Sequence, residues 1–149
     1  MDSRLQTSTS RAARHAPHPF LLRLDVTPRS LFQHDACLER LTASRHGLWD
    51  GRCWIALRTS AVARKGLRPF WGLRRRVVAR FAATGCWAVL LLDGEESGWL
   101  VPGRVAEGLI LSRRWHLARD DEYKITPPLP GAWRFTEAGQ ARALLARLS

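Results

Sequence analysis

The residues best suited to chemistry in this sequence are cations concentrated in its middle third. Between Gly51 and Leu92 there is no aspartate or glutamate, and we call this stretch the acid-free segment. Its nine cations are Arg52, Arg58, Arg64, Lys65, Arg68, Arg74, Arg75, Arg76 and Arg80. The stretch that follows, Asp93 to Glu122, holds seven acids against four arginines. Such segregation is typical of proteins whose guanidinium groups bind a phosphate backbone.

The acid-free segment also contains aromatic residues beside its cations. Arg64 to Gly72 reads RKGLRPFWG, in which arginines can bind phosphate or a guanine edge and Phe70 or Trp71 can stack on an unpaired base. Arg76 and Arg80 are spaced i, i+4 and share one face of a predicted helix. The predicted nucleic-acid site comprises Arg64, Lys65, Arg68, Phe70, Trp71, Arg74, Arg75, Arg76 and Arg80. The alternative is a solvated basic surface with both aromatic residues in the core.

The overall charge also favours a nucleic-acid partner, but it is weaker evidence than the segregation of charge. A net charge of +11 over 149 residues favours polyanions, with nucleic acid ahead of a membrane surface. Only Lys65 and Lys124 are lysines among the 24 cations, an arginine bias that a GC-rich genome produces by itself. Because such a bias does not remove carboxylates from one segment, the distribution of charge carries the prediction. We expect the acid-free segment to form one contiguous positive surface.

Three residues beyond the acid-free segment suggest a different chemistry. Asp93 ends a predicted buried strand, and Glu122 and Lys124 lie on the same face of a later one. This pattern resembles the D…(D/E)-x-K signature of PD-(D/E)XK nucleases. The resemblance implies that Asp93 and Glu122 hold Mg²⁺, which activates water, and that Lys124 stabilises the charge that develops.

A competing alignment with the same family uses other residues. It places the E-x-K strand at Trp54 to Arg58, followed by the WAVLLL and GWLVP strands, an order similar to that of some intron-encoded members. Ala56 then replaces the acid and Arg58 the lysine, which implies an inactive site. The two alignments cover at most residues 30 to 126.

The C-terminal region carries a third pattern. Trp133 to Gly139 reads WRFTEAG, a strand followed by a helix that Thr136 caps and Glu137 favours at its positive end. This ending resembles that of winged-helix DNA-binding domains, which implies binding to DNA.

The sequence lacks the motifs of disulfide-rich proteins, histidine metal sites, P-loop proteins and serine hydrolases. Cys37, Cys53 and Cys86 form no CxxC pair, and an odd number of cysteines suits a reducing compartment. The five histidines lack metal-ligand spacing, and no P-loop or G-x-S-x-G pattern is present. We therefore predict a cytoplasmic protein without a small-molecule cofactor. Seven tryptophans leave room for a further hypothesis, a regulator that binds another protein through a Trp/Arg surface.

Hydrophobic periodicity predicts the elements that position these groups. We expect residues 1–18 to form a disordered basic tail and residues 19–149 a single α+β, or mixed α/β, domain. Its core is a small central sheet of about four to six strands with flanking helices. Strands are predicted at Phe20–Val26, Trp49–Thr59 (entered through an Asp50-Gly51 turn), Trp87–Leu92, Trp99–Val101, Tyr123–Thr126 and Trp133–Phe135. Helices are predicted from Ser30 to about Ser44, from Trp71 to Thr84, from Pro102 to about Ser112, and after Thr136.

These patterns together favour a non-enzymatic nucleic-acid-binding protein. A Mg²⁺-dependent PD-(D/E)XK-type nuclease and a small protein-binding regulator are the alternatives. No segment reaches the roughly 20 apolar residues of a membrane span, so we expect no membrane partner.

Overall fold

The computed structural model describes residues 16–60 and 68–148. Within these ranges the chain forms an α+β domain, as the sequence predicts. The helices are α1 (Pro19–Arg23), α2 (Ala36–Thr42), α3 (Arg75–Ala82), α4 (Gly103–Leu111) and α5 (Ala138–Ala146). The strands are β1 (Thr27–Pro28), β2 (His46–Trp49), β3 (Cys53–Thr59), β4 (Trp71–Arg74), β5 (Trp87–Leu92), β6 (Gly98–Pro102), β7 (His116–Leu117), β8 (Glu122–Ile125) and β9 (Arg134–Phe135). The predicted tail falls almost wholly on residues 1–15, outside the described ranges.

Two sheets organise these strands. The larger has the order β1-β2-β3-β5-β6-β9, which agrees with the predicted central sheet, and the smaller has the order β4-β8-β7, which the sequence analysis did not anticipate. Strands β3 and β5 are parallel, whereas the other pairs in both sheets are antiparallel.

The parallel pair β3 and β5 separates two hydrophobic cores. Every residue of β5 is buried, as predicted for the WAVLLL run. Because side chains alternate along a strand, Leu57 and Leu90 join α1 and α5 in one core, while Val89 and Leu91 join α3 and the smaller sheet in the other. Residues on the second face therefore emerge towards α3 and the smaller sheet.

Two predicted elements were wrong in type. Phe20 to Val26 begins in helix α1 rather than a strand: His18 Nδ1 accepts from the Phe20 amide, and Phe20, Leu21 and Leu24 pack into the core with helical spacing. The predicted helix from Trp71 begins as strand β4, because the inward side chains of Trp71 and Leu73 alternate with period two. Helix α3 starts only at Arg75.

Several predicted boundaries also shift. The Asp50-Gly51 turn is present, with both residues at positive φ, but it closes a hairpin between β2 and β3. Asp35 rather than Ser30 caps α2, since its carboxylate accepts from the Leu38 amide. The Ser30 hydroxyl is buried and accepts from the Phe32 amide.

None of the described helices is long and apolar enough to cross a bilayer.

Truncation of Leu90, in the centre of β5, is expected to destabilise the whole domain. Its side chain is fully buried, so Leu90→Ala should lower the free energy of unfolding by about 2–5 kcal/mol. Leu111, which is 84% exposed at the end of α4, is the matched control, and Leu111→Ala should change it by no more than about 0.5 kcal/mol. Urea titration of the three proteins measures both values. Equal effects of the two substitutions would contradict the central position of β5.

Candidate nucleic-acid interface

The aromatic residues predicted to stack on bases lie in or near the core. Trp71 is fully buried, its indole N–H donates to the Leu92 carbonyl at 2.9 Å, and its ring meets Trp99 edge-on. It presents no free ring face to a base, so the core interpretation describes it better. Phe70 is half-buried. Arg68 is exposed just before β4, and Arg64 and Lys65 lie outside the described residues.

Carboxylates neutralise part of the acid-free segment. Arg75 bonds Asp121 at 2.7 Å, Arg76 bonds Asp35 at 3.0 Å, and Arg52 lies 3.4 Å from Asp50. Of the seven described cations in the segment, these three are paired, so the expected positive surface is interrupted. These pairs are exposed, and surface ion pairs contribute little to stability. A bound anion could therefore replace the carboxylate in each pair. Arg68, Arg74 and Arg80 form no ion pair within residues 16–60 and 68–148.

Arg58 is the cation most strongly affected by its surroundings. It follows Ala56 on the same face of β3 and is half-buried there. Its guanidinium donates to His46 Nε2 at 3.3 Å and to the Leu57 carbonyl at 2.8 Å. Burial, and then the charge of Arg45 and Arg74, lower the pKa of Arg58 to about 10, against an opposing effect of Glu122. We call Arg45, Arg58 and Arg74 the arginine cluster.

His46 holds Arg58 in place as a neutral base. Its side chain is fully buried, with its ring 4.8 Å from that of Phe81. Burial, and then the charges of Arg58 and Arg45, place the pKa of His46 well below its usual value. Because Nε2 accepts from Arg58, the single proton lies on Nδ1, which has no hydrogen-bond partner among the described residues. The imidazole therefore orients a cation without neutralising it.

Glu122 is the carboxylate that acts on the arginine cluster. Glu122 and Arg74 are directly opposite each other in the antiparallel strands β8 and β4. The Glu122 side chain lies against Gly72, where a Cβ would obstruct it. Its carboxylate contacts Lys124 at 3.2 Å rather than an arginine of the cluster. Arg45 and Arg74 thus both repel the charge of Arg58, with one carboxylate nearby. An anion bound beside Arg58 would relieve this repulsion.

Arg45 is not among the residues predicted from the sequence, and Arg58 is predicted only as one cation of the acid-free segment and as part of the inactive nuclease alignment. Arg45 lies outside the acid-free segment and reaches the site through the β2–β3 hairpin. Arg58 does have a sequence feature that identifies it: it is a charged residue in phase with Trp54 and Ala56 on the core-facing side of an apolar strand. Charged residues at such positions are rare unless paired or functional.

The residues of the first nuclease alignment lie in separate groups. Asp93 accepts from Arg134 at 2.9 Å and from the Ser97 hydroxyl at 2.6 Å. Glu122 and Lys124 share a face of β8, as expected, and Lys124 also bonds Asp120 at 2.8 Å. These two carboxylates raise the pKa of Lys124. In the described part of the chain, no three His, Cys, Asp or Glu side chains form a group that could hold a metal ion.

The second nuclease alignment and the segment that resembles a winged helix both fall on the larger sheet. In the second nuclease alignment, β3 and β5 are adjacent and parallel and β6 follows, with the apolar Ala56 at the acid position. In the segment that resembles a winged helix, β9 is an edge strand beside β6 and hands over to α5. Glu137 occupies the N-cap position, while the Thr136 hydroxyl bonds Gln140.

The tryptophans lie mostly inside the domain. Trp71, Trp87, Trp115 and Trp133 are buried, and Trp49, Trp54 and Trp99 are half-buried. Arg134 stacks on Trp99, with its guanidinium carbon 4.2 Å from the ring centroid. The large exposed apolar side chains of the described residues are instead Leu22, Leu41, Leu111 and Leu117. The hypothesis of a Trp/Arg protein-binding surface therefore has no fully exposed tryptophan to anchor it.

Comparison with known proteins adds no relative, since no family model, no curated protein and no solved structure matches this chain.

The buried neutral His46 predicts a pH dependence of stability. Its pKa in the folded protein lies well below 6.5, so between these values only the unfolded chain binds the proton. The free energy of unfolding should therefore fall as the pH drops below about 6.5. His46→Gln keeps an acceptor for Arg58 and should reduce the slope of stability against pH. Part of the slope should remain, because the pKa of His18 is also lowered. Urea titrations from pH 5 to pH 8 measure the slope, and an unchanged slope in the variant would assign it elsewhere.

Proposed function

We propose that this chain binds nucleic acid without catalysis, with the arginine cluster contacting phosphate groups of the backbone. The observation that carries the proposal is the environment of Arg58, whose hydrogen bonds go to a neutral imidazole and a carbonyl rather than a carboxylate. Arg45 and Arg74 disfavour its charge instead of balancing it. Like charges held together in this way favour the binding of an external anion.

The surroundings of the arginine cluster extend the same positive surface. Arg68 and Arg80 add exposed cations that have no carboxylate partner in the described structure. A backbone with a charge at every nucleotide matches several separate cations better than a single small anion does.

An acidic protein partner would use the same cations, and the two classes differ in measurable ways. Phosphate-backbone binding releases counterions, so its affinity falls linearly with salt on logarithmic axes. Co-purification with a protein that survives nuclease treatment would favour the regulator hypothesis instead.

Removal of the two exposed cations of the cluster should weaken binding to all nucleic-acid sequences alike. For Arg45→Gln/Arg74→Gln, the slope of log K against log salt should flatten by about 0.7–0.9 for each lost phosphate contact. Both side chains are exposed, so the variant should keep its fold. Arg114→Gln removes an exposed arginine that belongs to neither the arginine cluster nor the cleft beside Trp87 and is the control. Salt titrations on one labelled duplex and one labelled single strand measure the slopes.

Two results would contradict this assignment. One is an unchanged affinity and slope in the double variant on both ligands. The other is an equal loss in Arg114→Gln, which would show that net charge rather than the cluster drives binding.

Glu122→Gln separates the proposal from the nuclease alternative. It removes the carboxylate that acts on Arg58, so nucleic-acid binding should strengthen by up to about fivefold, the effect of one unit charge at about 4 Å in water. Glu95→Gln makes the same charge change at an exposed turn and should have a smaller effect. The nuclease alternative requires instead that the wild-type chain cleaves DNA with Mg²⁺ and that Glu122→Gln abolishes cleavage. Binding and cleavage assays with and without Mg²⁺ distinguish the two.

A further inference from the structure

A second cleft lies at the opposite end of the central parallel strands. Arg58 is near the C-terminal end of β3, whereas this cleft opens beside Trp87, the first residue of β5. It has a volume of about 420 Å³, within the range of small-molecule sites. We call it the Trp87 cleft. Its walls include Trp87, Gly103, Arg104, Glu107, Trp133 and Arg147.

The indole N–H of Trp87 is an unused donor in this cleft. The side chain is only 5% exposed, yet its Nε1 donates no hydrogen bond to any described residue. Of the three buried tryptophans in this core, Trp71 donates its N–H to the Leu92 carbonyl, whereas Trp87 and Trp115 have no acceptor among the described residues. The Trp87 N–H is accessible from the cleft rather than sealed in the core. An acceptor placed in the cleft could therefore take its hydrogen bond.

Helix α4 begins beside this donor. Gly103 is its first residue, and a Cβ at that position would collide with Nε1, Cδ1 and Cε2 of Trp87, so glycine permits the close approach of the helix to the indole ring. The first turn has no side-chain cap and no acidic residue. Its free amides and the positive end of the helix dipole therefore favour a negatively charged group.

Two arginines supply positive charge to the cleft. Arg104 is the second residue of α4, and Arg147 lies with its guanidinium carbon 4.7 Å from the ring centroid of Trp133. Neither forms an ion pair with a described residue. Glu107, one turn further along α4, is the carboxylate in the wall and is exposed. The residues that carry these indole, amide and guanidinium donors thus line one cleft, with two arginines against one glutamate.

We propose that the Trp87 cleft binds the phosphate group of a small phosphate monoester. The donors match a tetrahedral oxyanion, which accepts several hydrogen bonds at once, and guanidinium groups bind phosphate in a bidentate manner. The cleft is larger than a phosphate group, and the Trp133 ring with Pro102 provides an apolar wall for an organic substituent. This site is independent of the arginine cluster, so either can fail without the other.

The indole N–H resonance of Trp87 reports directly on the proposed contact. ¹H–¹⁵N spectra of the full chain are recorded during titration with inorganic phosphate, adenosine 5′-monophosphate and adenosine, and Trp87→Phe assigns the resonance. Inorganic phosphate and adenosine 5′-monophosphate should each shift the resonance saturably. The ligand with the higher affinity shows whether the cleft prefers the free or the esterified anion. Adenosine should have no effect. No saturable shift with about 20 mM of either anion, or an equal shift with adenosine, would overturn the proposal.

Variants test whether the cleft's own charges control affinity. Arg147→Gln should weaken binding about tenfold, as expected for loss of a charge-assisted hydrogen bond, and Glu107→Gln should strengthen it. Arg114→Gln, an exposed arginine outside both the Trp87 cleft and the arginine cluster, is the matched control and should leave the affinity unchanged. Resonances outside the cleft should stay in place in each variant, which verifies the fold. Equal weakening by Arg114→Gln and Arg147→Gln would show diffuse attraction to a cationic surface and would overturn the site.

Discussion

The parallel pairing of β3 with β5 is the constraint on which the rest of the structure depends. Each strand is apolar on both faces, so each must be covered on both sides. Helices α1 and α5 cover one face, and α3 with the smaller sheet covers the other. The ends of the same two strands then define both candidate sites, with Arg58 near one end and Trp87 at the other. Neither site could form without this pair, because each takes its central side chain from it.

Burial gives the two central donors their properties. An arginine on the surface is solvated and easily paired, as Arg75 is with Asp121. Arg58 is instead placed by strand alternation on a core-facing side, where the protein offers an imidazole and a carbonyl but no carboxylate. Removal from water makes each remaining interaction stronger and each unmet one more costly. The Trp87 indole lies at the edge of the same core, where its N–H remains accessible from the cleft.

Charge in this protein is arranged at two levels. Exposed ion pairs, such as Arg76 with Asp35, join neighbouring elements and are readily exchanged. The arginine cluster and the Trp87 cleft each combine a central side chain from the parallel strands with exposed arginines that have no carboxylate partner among the described residues. The proposed ligands differ: a long polyanion suits the cluster and the other unpaired cations, and a small phosphate monoester suits the Trp87 cleft.

The sequence by itself determined the α+β class, the doubly buried strand β5, the Asp50-Gly51 turn and the segregation of charge, because each depends on local periodicity, turn conformation or composition. Only the tertiary structure decided which cations remain unpaired, since Asp35 and Asp121 reach Arg76 and Arg75 from distant segments. It also decided that Arg45 joins Arg58 and Arg74, and that Phe20 to Arg23 is helical, because a short apolar run takes the form that its packing partners allow. Local pattern fixes what a segment can bury; long-range contacts fix which polar groups are left for a ligand.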